Sequence, residues 1–281
     1  MTLGDLVDRA AARLAESAVH FGHGTDNPRD EAAWLVLRGL GHAFHADLNK
    51  GVGEADVQRV EVLLDKRVRE RIPVAYLLKE AWLDGLPFYV DERVIVPRSH
   101  IAELLKEKAL VRHPARRVLD LCTGSGCLAI LAARAFPAAE VDASDLSPAA
   151  LAVARKNVAR YRLGARIRVR QSDLFGSLQG ERYQLIVSNP PYVSAAAMTT
   201  LPTEYRREPR LALAGGKDGL ELVARMMAQV DQHLEPGGML VCEIGDGRPA
   251  MQRRFPRLRL SWPKPEVFVY RKPATRAGRA R

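Results

Sequence analysis

The sequence predicts an α/β fold in which a mostly parallel sheet follows a small N-terminal helical bundle and a connecting β-hairpin. From Arg117 onward, apolar strand-like runs alternate with helical patterns, which is typical of a parallel sheet. Residues 1–75 carry apolar side chains at helical spacing, and residues 76–97 change to short strand-like runs. At 281 residues and 47% hydrophobic content, the chain is long enough for one large domain and a smaller one.

The first 75 residues are predicted to form a bundle of three helices. The first carries apolar side chains at helical spacing from Leu3 to Leu14. The second begins at Asn27-Pro28, because Asn27 is a preferred N-cap residue and Pro28 suits the first helical position. The third extends from about 54 to 69, and the apolar faces of the three helices are expected to pack together.

Residues 76–97 are predicted to form a β-hairpin that joins the two parts of the chain. Its strands are expected at 81–90 and 94–96, with Asp91-Glu92-Arg93 as the turn. A helix is then expected from Ile101 to Leu110.

Five buried strands form the core of the predicted sheet. Each is a short apolar run bounded by turn signals. Two late apolar runs, near Leu258 and over 267–270, are expected to form an antiparallel hairpin at the sheet edge, and the basic segment 273–281 is expected to be disordered. The strands are predicted at 118–121, 140–143, 167–169, 183–187 and 238–244, and the helices near 127–135, 148–161 and 218–234.

The composition indicates the cellular compartment and the kind of binding partner. The net charge of +10 favours a polyanionic neighbour such as RNA, and the alternative is an ordinary solvated surface rich in arginine. No apolar run is long enough for a membrane span, and the N-terminus is unlike a signal peptide, so we expect a cytoplasmic protein. Cys122, Cys127 and Cys242 lack CxxC spacing, which favours reduced thiols over disulfides or zinc.

The turn between the first two helices contains His20, His23 and Asp26. Their spacing fits no standard set of metal ligands, so we interpret the segment as a capping turn and predict no metal site. His100 and His113 are interpreted as surface or junction residues, and no catalytic histidine is predicted.

A glycine-rich loop follows the first strand of the predicted sheet. It reads Cys122-Thr123-Gly124-Ser125-Gly126-Cys127, and Gly124 and Gly126 let the backbone approach a ligand at a helix N-terminus. Asp145 stands at the end of the second strand, where a carboxylate can bind both ribose hydroxyls. The loop also fits the dinucleotide pattern GxGxxA, so these features predict an adenosine-type ligand without saying which one.

Two further acidic residues favour S-adenosylmethionine over a dinucleotide. Asp120 precedes the loop, where it can meet the methionine ammonium group, and the alternative is that it fixes the loop. Asp173 follows the third strand, where it can accept a hydrogen bond from the adenine amine, and the alternative is a helix N-cap.

The segment Ser188-Asn189-Pro190-Pro191-Tyr192 directly follows the buried strand 183–187. Its prolines end the strand because neither has an N–H for the sheet, and ligands bind at the carboxyl ends of such strands. The Asn189 side-chain oxygen and the Pro190 carbonyl can accept both hydrogens of a planar NH2 group, and Tyr192 can pack over its plane. A turn that happens to hold two prolines is the alternative.

Further motifs extend this pattern along the chain. They are Pro97-Arg98, Glu208-Pro209 and Gly215-Gly216-Lys217-Asp218-Gly219-Leu220. With the loop, the two aspartates and the NPPY segment in this order, the chain resembles the class I S-adenosylmethionine-dependent methyltransferases, and more closely the HemK-like protein glutamine methyltransferases, over roughly residues 3–272. The resemblance implies a Rossmann-like fold, S-adenosylmethionine as cofactor and methylation of a glutamine side-chain amide.

Each part of the chain then has an expected role. Residues 1–75 would recognise the substrate, 76–97 would connect the domains, and 98–272 would form the methyltransferase domain. Catalysis would rest on positioning and electrostatics, with no strong base needed before transfer. The expected catalytic residues are Asn189, Pro190 and Tyr192, with Pro191 also binding substrate. The expected cofactor-binding residues are Asp120, Thr123, Gly124, Gly126, Asp145, Asp173 and Asn189.

The family resemblance has two branches, and the chain is more similar to the one that modifies the third large-subunit ribosomal protein. The other branch modifies peptide-chain release factors and typically has Pro-Glu-Thr where this chain has Ser99-His100-Ile101. The expected partner is therefore that ribosomal protein, alone or in an assembly intermediate with RNA. The stretches that favour this branch are 21–28, 87–94 and 201–205.

Two other functions stay open at this point. Exocyclic amines of adenine use the same NPPY chemistry, so a nucleic-acid amino-methyltransferase is one, although it would need a target-recognition module and base flipping. A non-catalytic RNA-binding protein associated with the ribosome is the other, and it rests on charge alone. The sequence does not predict the oligomeric state.

Overall fold

The computed structural model describes residues 1–107 and 115–274, which contain eleven α-helices and nine β-strands. No helix in these ranges is long and apolar enough to span a bilayer. The helices are α1 (Leu3–Ala15), α2 (Pro28–Gly39), α3 (Glu54–Arg69), α4 (Val74–Leu78), α5 (Ile101–Lys106), α6 (Cys127–Ala135), α7 (Pro148–Arg160), α8 (Ala195–Thr200), α9 (Glu221–Met227), α10 (Val230–His233) and α11 (Arg248–Arg254). The strands are β1 (Ala81–Leu83), β2 (Leu86–Phe88), β3 (Arg117–Leu121), β4 (Glu140–Asp145), β5 (Ile167–Gln171), β6 (Tyr183–Ser188), β7 (Leu234–Glu243), β8 (Leu260–Lys264) and β9 (Val267–Arg271).

Seven strands form one sheet in the order β5-β4-β3-β6-β7-β9-β8. The first five are parallel, and β9 and β8 add an antiparallel hairpin at the edge, as predicted. In the central register, Ser188 at the end of β6 lies opposite Leu121 of β3 and Cys242 of β7. The segments that follow β3, β4, β6 and β7 therefore emerge at the same edge of the sheet, which confirms the class I methyltransferase architecture.

Helices cover both faces of the sheet. Alternate strand residues face opposite sides, so Val118 and Leu185 pack with the apolar sides of α5 and α6, whereas Leu119 and Ile186 pack with α9 and α11. Burying each of these aliphatic side chains stabilises the fold by about 1.5–3 kcal/mol. The sheet is thereby a rigid support for the loops at its edge.

The first three helices form where the sequence predicts them, and a fourth short helix, α4, was not predicted. Asn27 caps α2 by accepting a hydrogen bond from the backbone N–H of Asp30 at 2.9 Å, as its position suggested. The apolar core of the bundle also includes Val94 of the connecting segment and Val153 of α7. The bundle thus shares a continuous core with the helix that follows the second strand of the sheet.

The predicted turn of the connecting hairpin was wrong. The two strands β1 and β2 turn at Asp84 and Gly85, both of which have positive φ, and residues 94–96 form no strand. An Asp-Gly pair suits the left-handed conformation that a two-residue hairpin requires, so it takes the turn. Asp91 instead accepts hydrogen bonds from the Arg93 guanidinium at 2.6 and 2.8 Å.

Two predicted helices also differ. The pattern over 218–234 gives α9 and α10, because the helix starts only after Gly219 with φ +80° and is interrupted at Ala228–Gln229. The helix predicted to end at Leu110 ends at Lys106, and residues 108–114, including His113, lie outside the described ranges. Most of the tail predicted to be disordered, from 275 to 281, also lies outside them.

One buried carboxylate, Glu204, attaches the bundle to the segment after α8. Glu204 accepts hydrogen bonds from the backbone N–H of His20 and from the guanidinium groups of Arg67 and Arg71, at 3.0–3.1 Å. Arg67 is 1% exposed and also binds Glu31 at 2.6 Å. We call Glu31, Arg67, Arg71 and Glu204 the bundle clamp, because they hold the 203–207 turn against the bundle.

Replacing the central cation tests the bundle clamp. Arg67→Met keeps most of the volume but leaves two buried carboxylates without their shared partner. We expect the free energy of unfolding to fall by about 3–5 kcal/mol in urea titrations. The matched control is Arg69→Met on the exposed side of the same helix, which should change it by no more than about 0.5 kcal/mol. Equal losses in the two variants would contradict a structural role for the clamp.

Candidate active site

Two cavities meet at the carboxyl edge of the sheet, and Asn189 lines both. The first, about 290 Å³, is walled by the glycine-rich loop, the end of β4 and the start of α9. The second, about 450 Å³, lies between the connecting segment, the residues after β6 and the end of β7. Pro191 faces the first cavity, whereas Pro190 and Tyr192 face the second. The NPPY segment therefore forms the wall between them.

The glycine-rich loop has the backbone conformation that glycine permits. Gly124 has φ +54° and lines the first cavity, and its N–H donates to Asp145 Oδ2 at 2.9 Å. Gly126 has φ +81° and does not line the cavity. A Cβ at Gly126 would lie 3.2 Å from the Cβ of Ala154 on α7, so this glycine lets the loop pack on a helix.

Asp145 and Asp173 both line the first cavity, as the sequence analysis expects for ligand-binding residues. Asp145 accepts from the N–H groups of Gly124 and Ser147, which leaves lone pairs on both oxygens for a diol. Burial raises the pKa of Asp145, and these two hydrogen bonds oppose the shift. Asp173 is half-exposed and pairs with Arg225 at 2.8 Å across the cavity mouth.

Asp120, which precedes the loop, and Thr123 within it are both buried and do not line the first cavity. Asp120 Oδ2 accepts from the Thr123 hydroxyl and from the Ala129 N–H at 2.8 Å, and Oδ1 is buried with no partner in the described ranges. Complete burial raises the pKa of Asp120 to about 7. This geometry favours the alternative in which Asp120 fixes the loop and the start of α6.

The NPPY segment is held by backbone contacts with a second glycine motif. Val193 N–H donates to Leu213 and Gly215 N–H donates to Val193, both at 2.8 Å. A Cβ at Gly215 would lie 2.7 Å from Tyr192 Cα, and one at Gly219 would lie 2.3 Å from the Tyr192 carbonyl oxygen. Only glycine fits at these two positions, so the motif over 215–220 fixes the wall between the cavities.

Asn189 Oδ1 is buried and has no hydrogen-bond partner within the described part of the chain. A buried carbonyl oxygen without a partner costs about 1–3 kcal/mol, so this acceptor is suited to a donor that comes from a ligand. The neighbouring Ser188 hydroxyl, in contrast, is satisfied by the Leu121 carbonyl at 2.6 Å. The strand end is thus anchored by Ser188, while the asparagine is left available.

Sequence reasoning missed the charged groups of the second cavity. Arg98 lines it, and Glu208 binds the Arg98 guanidinium at 2.6 and 2.7 Å. Burial raises the pKa of Glu208, but the contacts with His23 and Arg98 outweigh burial and lower this pKa to about 2. Glu243 also lines the cavity. Only the motifs Pro97-Arg98 and Glu208-Pro209 signalled this cluster, and neither indicates a cavity.

His20 and His23 lie where the bundle contacts the segment after α8. His23 is 2% exposed, with Nε2 at 3.7 Å from Glu208 Oε2 and its ring against Tyr205. His20 binds Glu204 through its backbone N–H. His100 is exposed at the rim of the second cavity. Within the described ranges, no group of three or more metal-binding side chains comes together.

The raised pKa of Asp120 predicts a pH-dependent stability. The folded state binds a proton that the unfolded state releases, so the contribution of Asp120 to the stability falls as pH rises from about 4 to about 7 and is then constant. Asp120→Asn cannot titrate. Urea titrations give the free energy of unfolding of each protein at each pH. As pH rises from about 4 to about 7, the value for Asp120→Asn minus the value for wild type should increase by on the order of 4 kcal/mol. Parallel pH curves for the two proteins would contradict the raised pKa.

Comparisons with known proteins agree with this geometry. The profile of the methyltransferase small domain family matches residues 101–204. A ribosomal protein uL3 glutamine methyltransferase from Bordetella pertussis is 52% identical, over 93% of this chain and 90% of its own length. The protein of the same description from Bradyrhizobium diazoefficiens is 48% identical, over 93% of this chain and 86% of its own length.

A solved structure supports the fold alone. The hMettl16 catalytic domain, crystallised with a MAT2A 3′UTR hairpin, matches with a TM-score of 0.52 at 14% identity, over 82% of this chain and 87% of that domain. The near full-length relatives carry more information, since they match both the bundle and the sheet domain at about half of all positions. The chain therefore belongs to the ribosomal protein uL3 glutamine methyltransferase family.

Proposed function

We propose that this protein transfers a methyl group from S-adenosylmethionine to the side-chain amide nitrogen of a glutamine in ribosomal protein uL3. The observation that carries this proposal is the position of Asn189, whose unpartnered oxygen lies in the wall between two cavities. A methyl donor in one cavity and an amide in the other would meet at this residue. The identity of the substrate is inferred from the relatives, because both are ribosomal protein uL3 glutamine methyltransferases.

The first cavity would suit S-adenosylmethionine, because carboxylates that can accept hydrogen bonds line it. Asp145 and Asp173 line this cavity, where Asp145 would accept from the two ribose hydroxyls and Asp173 would accept from the adenine amine. Gly124 allows close approach of the backbone, while Thr123, Gly126 and Asp120 would act by shaping the loop. When bound, the cofactor would supply an electrophilic methyl group. The protein's part is to hold that group against the wall formed by the NPPY segment.

The second cavity suits a primary amide. Asn189 Oδ1 and the Pro190 carbonyl would accept its two hydrogens, and the Tyr192 ring would pack against its plane. Accepting both hydrogen bonds raises the electron density on a nitrogen that is otherwise a poor nucleophile. Because the acceptors are already in place, little reorganisation accompanies the reaction.

The N-terminal bundle would recognise the rest of the protein substrate. The bundle clamp joins the bundle to the 203–207 turn, and the Glu208–Arg98 pair joins the end of that segment to a wall of the second cavity. A protein docked on the bundle would therefore have a fixed position relative to Asn189. A net charge of +10 also supports a cytoplasmic assembly intermediate that contains RNA as the physiological form of the substrate.

Methyl transfer from labelled cofactor tests the function directly. We expect label in uL3 after incubation with free uL3 or with ribosomal fractions, and we expect it to resist nuclease and to be lost with protease. Peptide mapping should place it on a glutamine side chain. Label in RNA would support the nucleic-acid alternative, and label in release factors with none in uL3 would support the other branch.

Asn189 substitutions test the catalytic wall. Asn189→Ala removes one preorganised acceptor, so single-turnover methyl transfer to uL3 should fall by about 100- to 1,000-fold. Asn189→Asp retains an acceptor and should be impaired less. Neither should change cofactor affinity by calorimetry, whereas the matched variant Asp145→Ala should weaken it by about 1.5–3 kcal/mol. Near-normal turnover by Asn189→Ala, or loss of cofactor binding in both Asn189 variants, would identify Asn189 as a structural turn residue.

A further inference from the structure

Glu243 is a buried carboxylate in the second cavity that the proposed mechanism does not use. It is the last residue of β7 and is 2% exposed. In the parallel register, Ser188 lies opposite Cys242, so the next residues of the two strands, Asn189 and Glu243, end side by side. Both line the second cavity. A carboxylate therefore lies in the same wall as the amide-binding asparagine.

One oxygen of Glu243 is anchored by donors, and no basic side chain pairs with the carboxylate among the described residues. Oε2 accepts from the Ser99 hydroxyl at 2.7 Å and from the His100 N–H at 2.9 Å. Four groups face it: the ring of His100, Glu266 from the turn before β9, Tyr192 from the NPPY segment, and Arg98 across the cavity. The Arg98 guanidinium is already paired with Glu208. Burial raises the pKa of Glu243, whereas its neighbour Glu208, paired with Arg98, has a lowered pKa.

Glu243 lines the second cavity, whereas Glu208 is buried behind it on the Arg98 guanidinium, and the opposite pKa shifts of these two carboxylates indicate different roles. Glu208 is bound on both oxygens and serves to hold Arg98 and the Val96 N–H. Glu243 keeps Oε1 without a donor in the described ranges, in a position reached from the cavity. Such an oxygen is a proton acceptor with a fixed orientation.

We propose that Glu243 accepts the proton that the substrate amide loses during methyl transfer. This inference rests on the proposed function. The nitrogen lone pair forms the N–C bond as the C–S bond of the methyl donor breaks, and that electron pair stays on sulfur. The nitrogen then carries a positive charge and two hydrogens, one of which passes to Glu243 Oε1, directly or through one water.

The products of this step are a neutral N-methyl amide, a neutral thioether and protonated Glu243, which releases its proton at the cavity rim beside His100. The Asn189 amide and the Pro190 carbonyl hold the hydrogens but are too weakly basic to retain a proton. Before the proton leaves, the Glu243 charge also stabilises the positive charge on nitrogen in a water-poor site. Glu243 is thus an acceptor for the last step, and no base is needed before transfer.

The pH dependence of full-length variants tests this role. Glu243→Gln keeps the acceptor for Ser99 and His100 but cannot take the proton. We expect single-turnover transfer at saturating substrates to fall by about 100-fold or more, with cofactor affinity unchanged. Wild-type activity should fall at acid pH with a midpoint above the ordinary range for glutamate, and Glu243→Gln should lack this transition. Ser99→Ala removes a hydrogen bond that stabilises the carboxylate, so it should move the midpoint to higher pH.

A second measurement is independent of turnover. In protein labelled with ¹³C at glutamate side chains, one carboxyl resonance should be absent from Glu243→Gln. That resonance should titrate with a pKa above the ordinary range, and this pKa should rise further in Ser99→Ala.

The control for the activity measurements is Asp142→Asn, which loses a buried carboxylate remote from both cavities. It should keep the wild-type rate and acid midpoint.

Three results would overturn the proposal: transfer by Glu243→Gln within threefold of wild type, an unchanged acid transition in that variant, or an ordinary titration of the Glu243 resonance. If wild type itself transfers no methyl group to uL3, the proposed function fails and the role of Glu243 fails with it. An active wild type with an equally active Glu243→Gln refutes only the role of Glu243.

Discussion

The position of β6 between two parallel neighbours is the constraint on which the site depends. Its register with β3 and β7 brings Leu121, Ser188 and Cys242 level, so that the residues after them emerge together. The glycine-rich loop, the NPPY segment and Glu243 are the continuations of these three strands. A shift of one residue in either pairing would turn the side chains of a strand to the opposite face of the sheet and separate these groups.

Buried ionic contacts then orient the connecting segments around this edge. Glu208 binds Arg98 and the Val96 N–H, and Glu204 binds Arg67 and Arg71. These two carboxylates lie four residues apart in one short segment after the NPPY turn. Because each is fully desolvated, its cost is offset only while all of its donors are present, which makes the arrangement specific as well as stable.

Local motifs were predictable from the sequence, and contacts between distant segments were not. The N-cap at Asn27, the loop around Gly124 and the strand end at Asn189 each depend on neighbouring residues, and the structure places them as expected. Glu243 was visible only as one residue of the predicted strand 238–244, because its relation to Asn189 depends on strand register. The hairpin turn was misplaced although Asp84-Gly85 carried a clear local signal, which a longer apolar run obscured. The roles of Gly126 and Gly215 depend on what packs against them, which only the fold shows.

The continuous core between the bundle and α7 limits how this family can change substrates. Val94 and Val153 belong to the same apolar cluster as the first three helices, so the bundle has no clean boundary at which it could be exchanged as a module. A graft of the bundle from another branch would carry mismatched side chains onto the helix that follows Asp145 and borders the first cavity. The bundle and the sheet domain would therefore have to change by coordinated substitutions on both sides of this core, and not by recombination of intact domains.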